Sequence, residues 1–90
     1  MFVIPKEEFI EELKAEIEGY EEIDQENRKL FIEKIIQYID ASTDNKKVKK
    51  TSKGIDIILK DESDIFELAD KYYGAVTSDE LEDYWKAFKL

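Results

Sequence analysis

The stretch that decides the fold of this chain is KKVKKTSKGIDIILK, residues 46–60. Ile55, Ile57 and Leu59 alternate with Asp56 and Lys60, a pattern typical of a β-strand with one buried face that Ile58 weakens only slightly. Gly54 suits a turn, so residues 46–51 are expected to return beside this strand as a hairpin. Because a lone hairpin is marginal in water, we also expect a third strand over residues 1–4.

The segments around this hairpin carry helical patterns. Phe9, Leu13 and Ile17 recur at four-residue steps, which predicts a first helix from Pro5 to Gly19. A second helix is expected from the N-cap Asp24 to about Ala41. Its apolar residues cover more than one face, which indicates a central helix that neighbours cover from two sides.

Two more helices follow the hairpin. Residues 63–74 are apolar at helical spacing and predict a third helix that ends at Gly74. Thr77 and Glu80 form a capping-box pair for a fourth helix, flanked by Val76 and Leu81 at the positions of a hydrophobic staple. The basic residues Lys86 and Lys89 suit the last turn of that helix.

These patterns together predict one small α+β domain over residues 1–90. It is dominated by about four helices, with a small β-hairpin (residues 46–60) or a three-stranded sheet packed against them. The core is expected to include Phe9, Leu13, Ile17, Phe31, Ile35, Ile39, Ile57, Leu59, Phe66, Leu81, Trp85 and Phe88.

The composition excludes several kinds of chemistry. The chain has no cysteine and no histidine, so it offers no thiol nucleophile, no histidine base and no ordinary zinc site. The segments DASTD (40–44) and DESD (61–64) resemble calcium loops, but neither has glycine at the sixth position or glutamate at the twelfth. We therefore expect no metal, no cofactor and no catalytic residues.

The termini and the apolar runs predict a cytoplasmic protein. The stretch MFVIPKEEF has no basic leader followed by a long apolar segment, and no apolar run approaches about eighteen residues. The sequence therefore predicts neither a signal peptide nor membrane insertion.

Charge is distributed unevenly along the chain. The formal net charge is −9, yet residues 46–60 hold six lysines and one aspartate. Lysines there suit an edge strand, where they deter aggregation, or a solvated loop. The functional alternative is that Lys47, Lys49 and Lys50 contact an anion or a second copy of this chain. Direct nucleic-acid binding is not expected, because acidic segments flank the lysines and no aromatic residue is interleaved with them.

Acidic residues cover the predicted first helix. Glu7, Glu11, Glu12 and Glu18 are candidates for contact with a basic protein partner, which negative charge would attract. Most of the aromatic residues near the C-terminus, namely Tyr72, Tyr73, Tyr84, Trp85 and Phe88, fit core positions. Tyr72 and Tyr73 are adjacent and point about 100° apart on a helix, so one of them, Tyr73, is the candidate exposed anchor.

These features lead to three functional hypotheses. The first is a non-enzymatic protein-interaction or regulatory module that uses acidic helical surfaces. The second narrows this to an acidic inhibitor of a nucleic-acid enzyme, acting as a DNA mimic, or to a toxin immunity protein. The third, which the sequence disfavours, is a small carboxylate-based hydrolase, since its acid pairs lie on one helix face instead of across a cleft. The oligomeric state is not predicted.

Overall fold

The computed structural model describes residues 1–88 and 90 of the chain. This part contains four helices and three strands. In chain order they are β1 (Phe2–Pro5), α1 (Lys6–Glu18), α2 (Gln25–Ala41), β2 (Val48–Thr51), β3 (Gly54–Leu59), α3 (Ser63–Thr77) and α4 (Leu81–Ala87). This α+β architecture confirms the predicted fold class. Lys89, assigned above to the last turn of the fourth helix, lies outside the described residues. None of the helices in the described part is long and apolar enough to span a membrane.

The strands form one antiparallel sheet in the order β1-β3-β2. Ile57 in the middle strand lies opposite Ile4 of β1 on one side and opposite Val48 of β2 on the other. All three side chains are buried, on the sheet face that packs against α1. The expected hairpin and the expected third strand are both confirmed.

The central element of the fold is α1, which contacts β1, β3, α2 and α3. Its buried side carries Phe9, Leu13 and Ile17, as the four-residue spacing predicts. The prediction that α2 is central is wrong. That helix packs on α1 and on aromatic side chains from α3 and α4, but Leu30 and Tyr38 remain 48% and 38% exposed. The apolar residues of α2 therefore extend around the helix beyond the faces that neighbouring elements cover.

The start of α2 follows the predicted capping chemistry. Asp24 precedes the helix in an extended conformation, and its Oδ1 accepts a hydrogen bond from the backbone N–H of Asn27 at 2.8 Å. This bond satisfies one of the unpaired donors at the helix N-terminus. The connection from Gly19 to Asp24 is short, so α1 and α2 are neighbours in the fold.

The boundary between α3 and α4 differs from the prediction. α3 continues through Gly74 to Thr77, whose Oγ1 donates a hydrogen bond back to the carbonyl oxygen of Gly74 at 3.3 Å. Asp79 has a φ of 60°, and the N–H of Glu80 donates to the carbonyl oxygen of Ala75 at 2.9 Å. This is the Schellman pattern of a helix C-terminus. The predicted capping box is wrong because Thr77 is the last residue of α3, and Glu80 is itself the N-cap of α4, without a side-chain capping hydrogen bond.

Most of the predicted core is buried. The predicted residues that are buried are Phe9, Leu13, Ile17, Phe31, Ile35, Ile39, Ile57 and Leu59, and those that are partly buried are Leu81, Trp85 and Phe88. The assignment of Phe66 to the core is wrong, since its side chain is 52% exposed. It lies about 100° around α3 from the buried Ile65, beyond the packed stripe. Tyr72, which also fits a core position in the sequence, is buried, and the further core residues are Ile4, Ile10, Ile23, Ile32, Val48, Ile65, Ala69 and Ala75.

Candidate functional site

The exposed glutamates of α1 lie on two sides of the helix. At about 100° per residue, Glu7, Glu11 and Glu18 fall within about 40° of one another. Glu12 lies about 100° further round, on the side that faces α3. The four glutamates that the sequence assigned to partner binding therefore do not form one surface.

Basic residues accompany the first of these sides. The Nζ of Lys14 lies 3.8 Å from Oε1 of Glu11. Glu18 lines a groove of about 700 Å³ between α1 and α2, and Lys29 lines the same groove. Glu7 borders the turn between β2 and β3. Nearby lysines compensate part of the negative charge on this side.

On the other side of α1, acidic residues surround an exposed phenylalanine. Phe66 of α3 lies in a shallow groove of about 380 Å³ whose walls include Glu12, Glu16 and Glu62. Among the described residues, no basic side chain lines this groove. Its carboxylates therefore face solvent beside an apolar ring without a local counter-ion.

Further along α3 from Phe66, a pair of stacked tyrosines borders the same surface. Tyr73 follows Phe66 by seven residues, so both lie on the same flank of α3, and the partly buried Tyr73 ring stacks on Tyr20 at 4.5 Å between centroids. Burial raises the pKa of Tyr20, and the negative charge of Asp70 raises it further. We call this surface the acidic seam and define it by Glu12, Glu16, Glu62, Phe66, Asp70 and Tyr73.

Sequence reasoning found only part of the acidic seam. It identified Glu12 and Tyr73, but Tyr73 is partly buried against Tyr20 and is not the exposed anchor that was expected. Phe66 was placed in the core. A signal was present, because Ile65 and Tyr72 mark the buried stripe of α3, while Phe66 and Tyr73 both come one position later. That shared offset of about 100° indicates a flank instead of the core face.

The lysine-rich stretch forms an edge strand. Lys49 and Lys50 lie on β2, which has only β3 as a neighbour, and Lys47 directly precedes it. All three side chains are exposed. The edge-strand interpretation is confirmed over the loop interpretation, with a two-residue turn at residues 52–53.

The free edge of β2 is covered by its own chain. Val48 and Lys50 direct their N–H groups away from β3, as alternate residues of an antiparallel strand do. Oδ1 of Asn45 accepts the N–H of Val48 at 2.9 Å, and Oδ1 of Asp44 accepts the N–H of Lys50 at 2.7 Å. Pairing of β2 with a strand of a second copy would have to break these bonds, so this edge disfavours self-association.

The carboxylates of the two calcium-like segments stabilise turns by accepting hydrogen bonds from backbone N–H groups. Asp61 accepts hydrogen bonds from the N–H and the hydroxyl of Ser63, and these bonds lower the pKa of Asp61. Oδ2 of Asp64 accepts the N–H of Lys60 at 2.8 Å. Over residues 1–88 and 90, no group of three or more acidic side chains is arranged to hold a metal ion.

An aromatic cluster joins α2, α3 and α4. Tyr72 stacks on Phe31 with centroids 4.0 Å apart, and its hydroxyl donates to the carbonyl oxygen of Asn27 at 2.8 Å. Burial raises the pKa of Tyr72 to about 12. Tyr84 meets the edge of the Trp85 ring at 5.0 Å, and its buried hydroxyl has no hydrogen-bond partner within the described part of the chain. The two tyrosines therefore differ in whether the hydroxyl is satisfied.

We expect Tyr84→Phe to raise the free energy of unfolding by about 1 kcal/mol, because it removes a buried hydroxyl that makes no hydrogen bond. Tyr72→Phe is the matched control and should lower it by about 1 kcal/mol, because it leaves the Asn27 carbonyl oxygen without its donor. Urea unfolding followed by circular dichroism measures both. Equal destabilisation by the two variants would contradict the assignment of Tyr84 as unsatisfied.

Comparison with known proteins gives no family: no protein-family model, no curated protein and no solved structure matches this chain. Function is therefore inferred from three features of the structure, namely the acidic seam, the lysine-rich edge strand β2 and the aromatic cluster. Of these three, the acidic seam is the one that combines an exposed aromatic side chain with uncompensated charge.

Proposed function

We propose that this chain is a non-enzymatic protein-interaction domain that binds a basic partner through the acidic seam. The observation that carries the proposal is the half-exposed ring of Phe66 with Glu12, Glu16 and Glu62 around it. Protein interfaces commonly have an apolar, aromatic-rich centre and a polar rim. The seam has this arrangement on a small scale.

The charge of the seam specifies the chemistry of the partner. A surface that fits it has an apolar recess for Phe66, with lysine or arginine side chains beside the recess that meet the carboxylates. The net charge of −9 would accelerate encounter with such a surface, and salt would screen that attraction. The partner is therefore expected to bind faster and more tightly at low ionic strength.

The energy of such an interface should be unevenly distributed. Full burial of a phenylalanine side chain contributes about 1.5–3 kcal/mol, whereas a single exposed ion pair contributes about 0–1 kcal/mol. Phe66 should thus contribute more to affinity than any one glutamate, and the glutamates should mainly set the association rate.

The alternative functions use the same acidity differently. A DNA mimic or an immunity protein that covers a basic active site would depend on many carboxylates at once, from both sides of α1. The division of the α1 glutamates into two sides, one of them compensated by lysines, favours a partner held at Phe66 instead. A carboxylate-based hydrolase fits less well, because a general acid needs a desolvated carboxyl group and the seam groove is shallow.

The test compares the seam with the opposite side of α1. The tagged chain captures partners from host lysate across a salt series, and mass spectrometry identifies them. The affinity of the recovered partner is then measured for wild type, for Phe66→Ala and for two triple variants. The seam triple carries Glu12→Gln, Glu16→Gln and Glu62→Gln. The matched control triple carries Glu7→Gln, Glu11→Gln and Glu18→Gln, with the same change in net charge.

We expect Phe66→Ala to weaken binding about four- to fifteenfold, because binding would bury the half of this side chain that the free chain leaves exposed. The seam triple should slow association and flatten the salt dependence more than the control triple does. Equal loss in both triples with Phe66→Ala tolerated would favour the phosphate-mimic alternative. Capture of no partner at any salt concentration would contradict an interaction function.

A further inference from the structure

A groove of about 550 Å³ lies on the opposite flank of α3 from the acidic seam. Its walls come from the end of β3, from α3 and from α4, and they include the apolar side chains of Ile58, Leu68, Tyr84 and Phe88. A volume between about 300 and 1,000 Å³ with mostly apolar walls is typical of sites for small molecules. The groove therefore has the size and the lining of a ligand site.

Three lysines also line this groove. Lys47 precedes β2, Lys60 follows β3, and Lys71 comes from α3, so the fold brings together basic residues from separate elements. Among the described residues, none of these three ammonium groups forms an ion pair with a carboxylate. Two carboxylates, those of Asp64 and Glu67, line the groove as well, and Oδ2 of Asp64 accepts the backbone N–H of Lys60.

The charge of this groove differs from that of its neighbours. The groove of the acidic seam is lined by glutamates without any basic residue in the described chain. The groove between α1 and α2 has equal numbers of basic and acidic side chains. Around the α3–α4 groove, by contrast, three lysines lie beside two acidic side chains, in a molecule with a net charge of −9. The α3–α4 groove therefore combines lysines that can attract an anion with apolar walls.

We infer that this groove binds a small amphipathic anion, a single apolar chain with one negatively charged head group. The chain packs against Ile58, Leu68 and Phe88, and the head group meets Lys47, Lys60 and Lys71. A purely apolar ligand would leave the lysines unused, and a purely ionic one would leave the apolar walls in water. This site is separate from the acidic seam, so it does not depend on the proposed protein-interaction function.

Titration with dodecanoate, kept below its critical micelle concentration, tests the inference. We expect saturable binding by calorimetry, with amide chemical-shift changes concentrated at Leu68 and Ala87 in ¹⁵N spectra. Each methylene removed from the chain should weaken binding about fourfold while the tail is buried. Dodecyltrimethylammonium has the same tail with a cationic head and should produce no shifts at these residues.

Two triple variants separate the site from the effect of overall charge. Lys47→Gln, Lys60→Gln and Lys71→Gln together should weaken dodecanoate binding about ten- to a hundredfold, at two- to fivefold for each exposed ion pair. The control triple, Lys14→Gln, Lys29→Gln and Lys53→Gln, makes the same change in net charge away from the groove. It should bind like wild type.

A further pair of variants keeps the test independent of the lysines. Ala87→Phe should fill the groove and abolish binding, whereas Phe66→Ala in the acidic seam should leave it unchanged. The inference is overturned if dodecanoate does not bind at all, or if its shifts fall outside the α3–α4 groove. It is also overturned if the cationic amphiphile binds equally well in the groove, or if the two triple variants weaken binding equally.

Discussion

Phe31→Ala is expected to lower the free energy of unfolding by about 3–5 kcal/mol, whereas Phe66→Ala should lower it by only about 1 kcal/mol. Phe31 is fully buried and stacks on Tyr72, so its removal leaves a cavity and exposes apolar surface. Phe66 is 52% exposed, so truncation there removes little buried surface. The same chemical change therefore has very different costs at the two sites.

Urea unfolding of both variants at low temperature measures this difference. Small domains have total stabilities of about 5–15 kcal/mol, so Phe31→Ala should bring this one close to its unfolding midpoint. Phe66→Ala serves both as the exposed control for stability and as the binding variant for the acidic seam. Comparable destabilisation by the two variants would show that Phe66 is packed in the core and would remove the basis of the proposed interaction site.

The two phenylalanines also show what the sequence predicts well. Strand β3 and the buried stripe of α1 were predicted correctly because most of their apolar residues follow one regular period. Phe66 was misplaced because hydrophobicity alone does not reveal which flank of a helix a neighbour covers. That depends on how α1 crosses α3, a tertiary relation that is absent from the local pattern.

Local capping chemistry was similarly ambiguous at one position. Asp24 caps α2 as predicted, with its side chain accepting the backbone N–H of Asn27. Thr77 and Glu80 also match a capping pattern, but Thr77 ends α3, Asp79 takes a left-handed conformation after it, and Glu80 is itself the N-cap of α4. A capping pair predicts a helix terminus reliably, but it does not determine which helix ends or begins there.

The candidate sites could be predicted only in part for the same reason. Glu12 and Tyr73 stood out in the sequence, but their association with Phe66 depends on the packing of α1 against α3. Lys47 also stood out, whereas its convergence with Lys71 requires the hairpin and α3 to meet. Charged residues that are distant in the sequence are therefore brought together by the fold.

α3 is the element that separates the two surfaces. Phe66 and Leu68 are two residues apart and so point about 200° apart around the helix, one to the acidic seam and the other to the lysine-lined groove. The two sites should therefore respond independently to substitution. Salt should weaken binding of a basic partner at the seam, and it should affect an amphipathic ligand less, because much of that affinity comes from burial of its tail.

We expect the stability of the protein to fall by about 2 kcal/mol between pH 10 and pH 12 because of Tyr72 alone. In the unfolded chain a tyrosine ionises with a pKa near 10, but burial and, to a smaller extent, the charge of Asp24 raise the pKa of Tyr72 to about 12. Over this range the unfolded state therefore binds fewer protons than the folded state. Stability that is complete below pH 10 is lost at about 1.4 kcal/mol per pH unit.

Comparison with Tyr72→Phe isolates this contribution from that of the lysines, which titrate in the same range. The variant should be about 1 kcal/mol less stable than wild type at pH 8, since it lacks the bond to the Asn27 carbonyl oxygen. Because only wild type loses the Tyr72 contribution as pH rises, the two stability curves should cross near pH 11. Parallel curves between pH 9 and pH 12 would contradict the raised pKa, and ultraviolet absorbance at the tyrosinate band would show which tyrosines ionise while the protein is still folded.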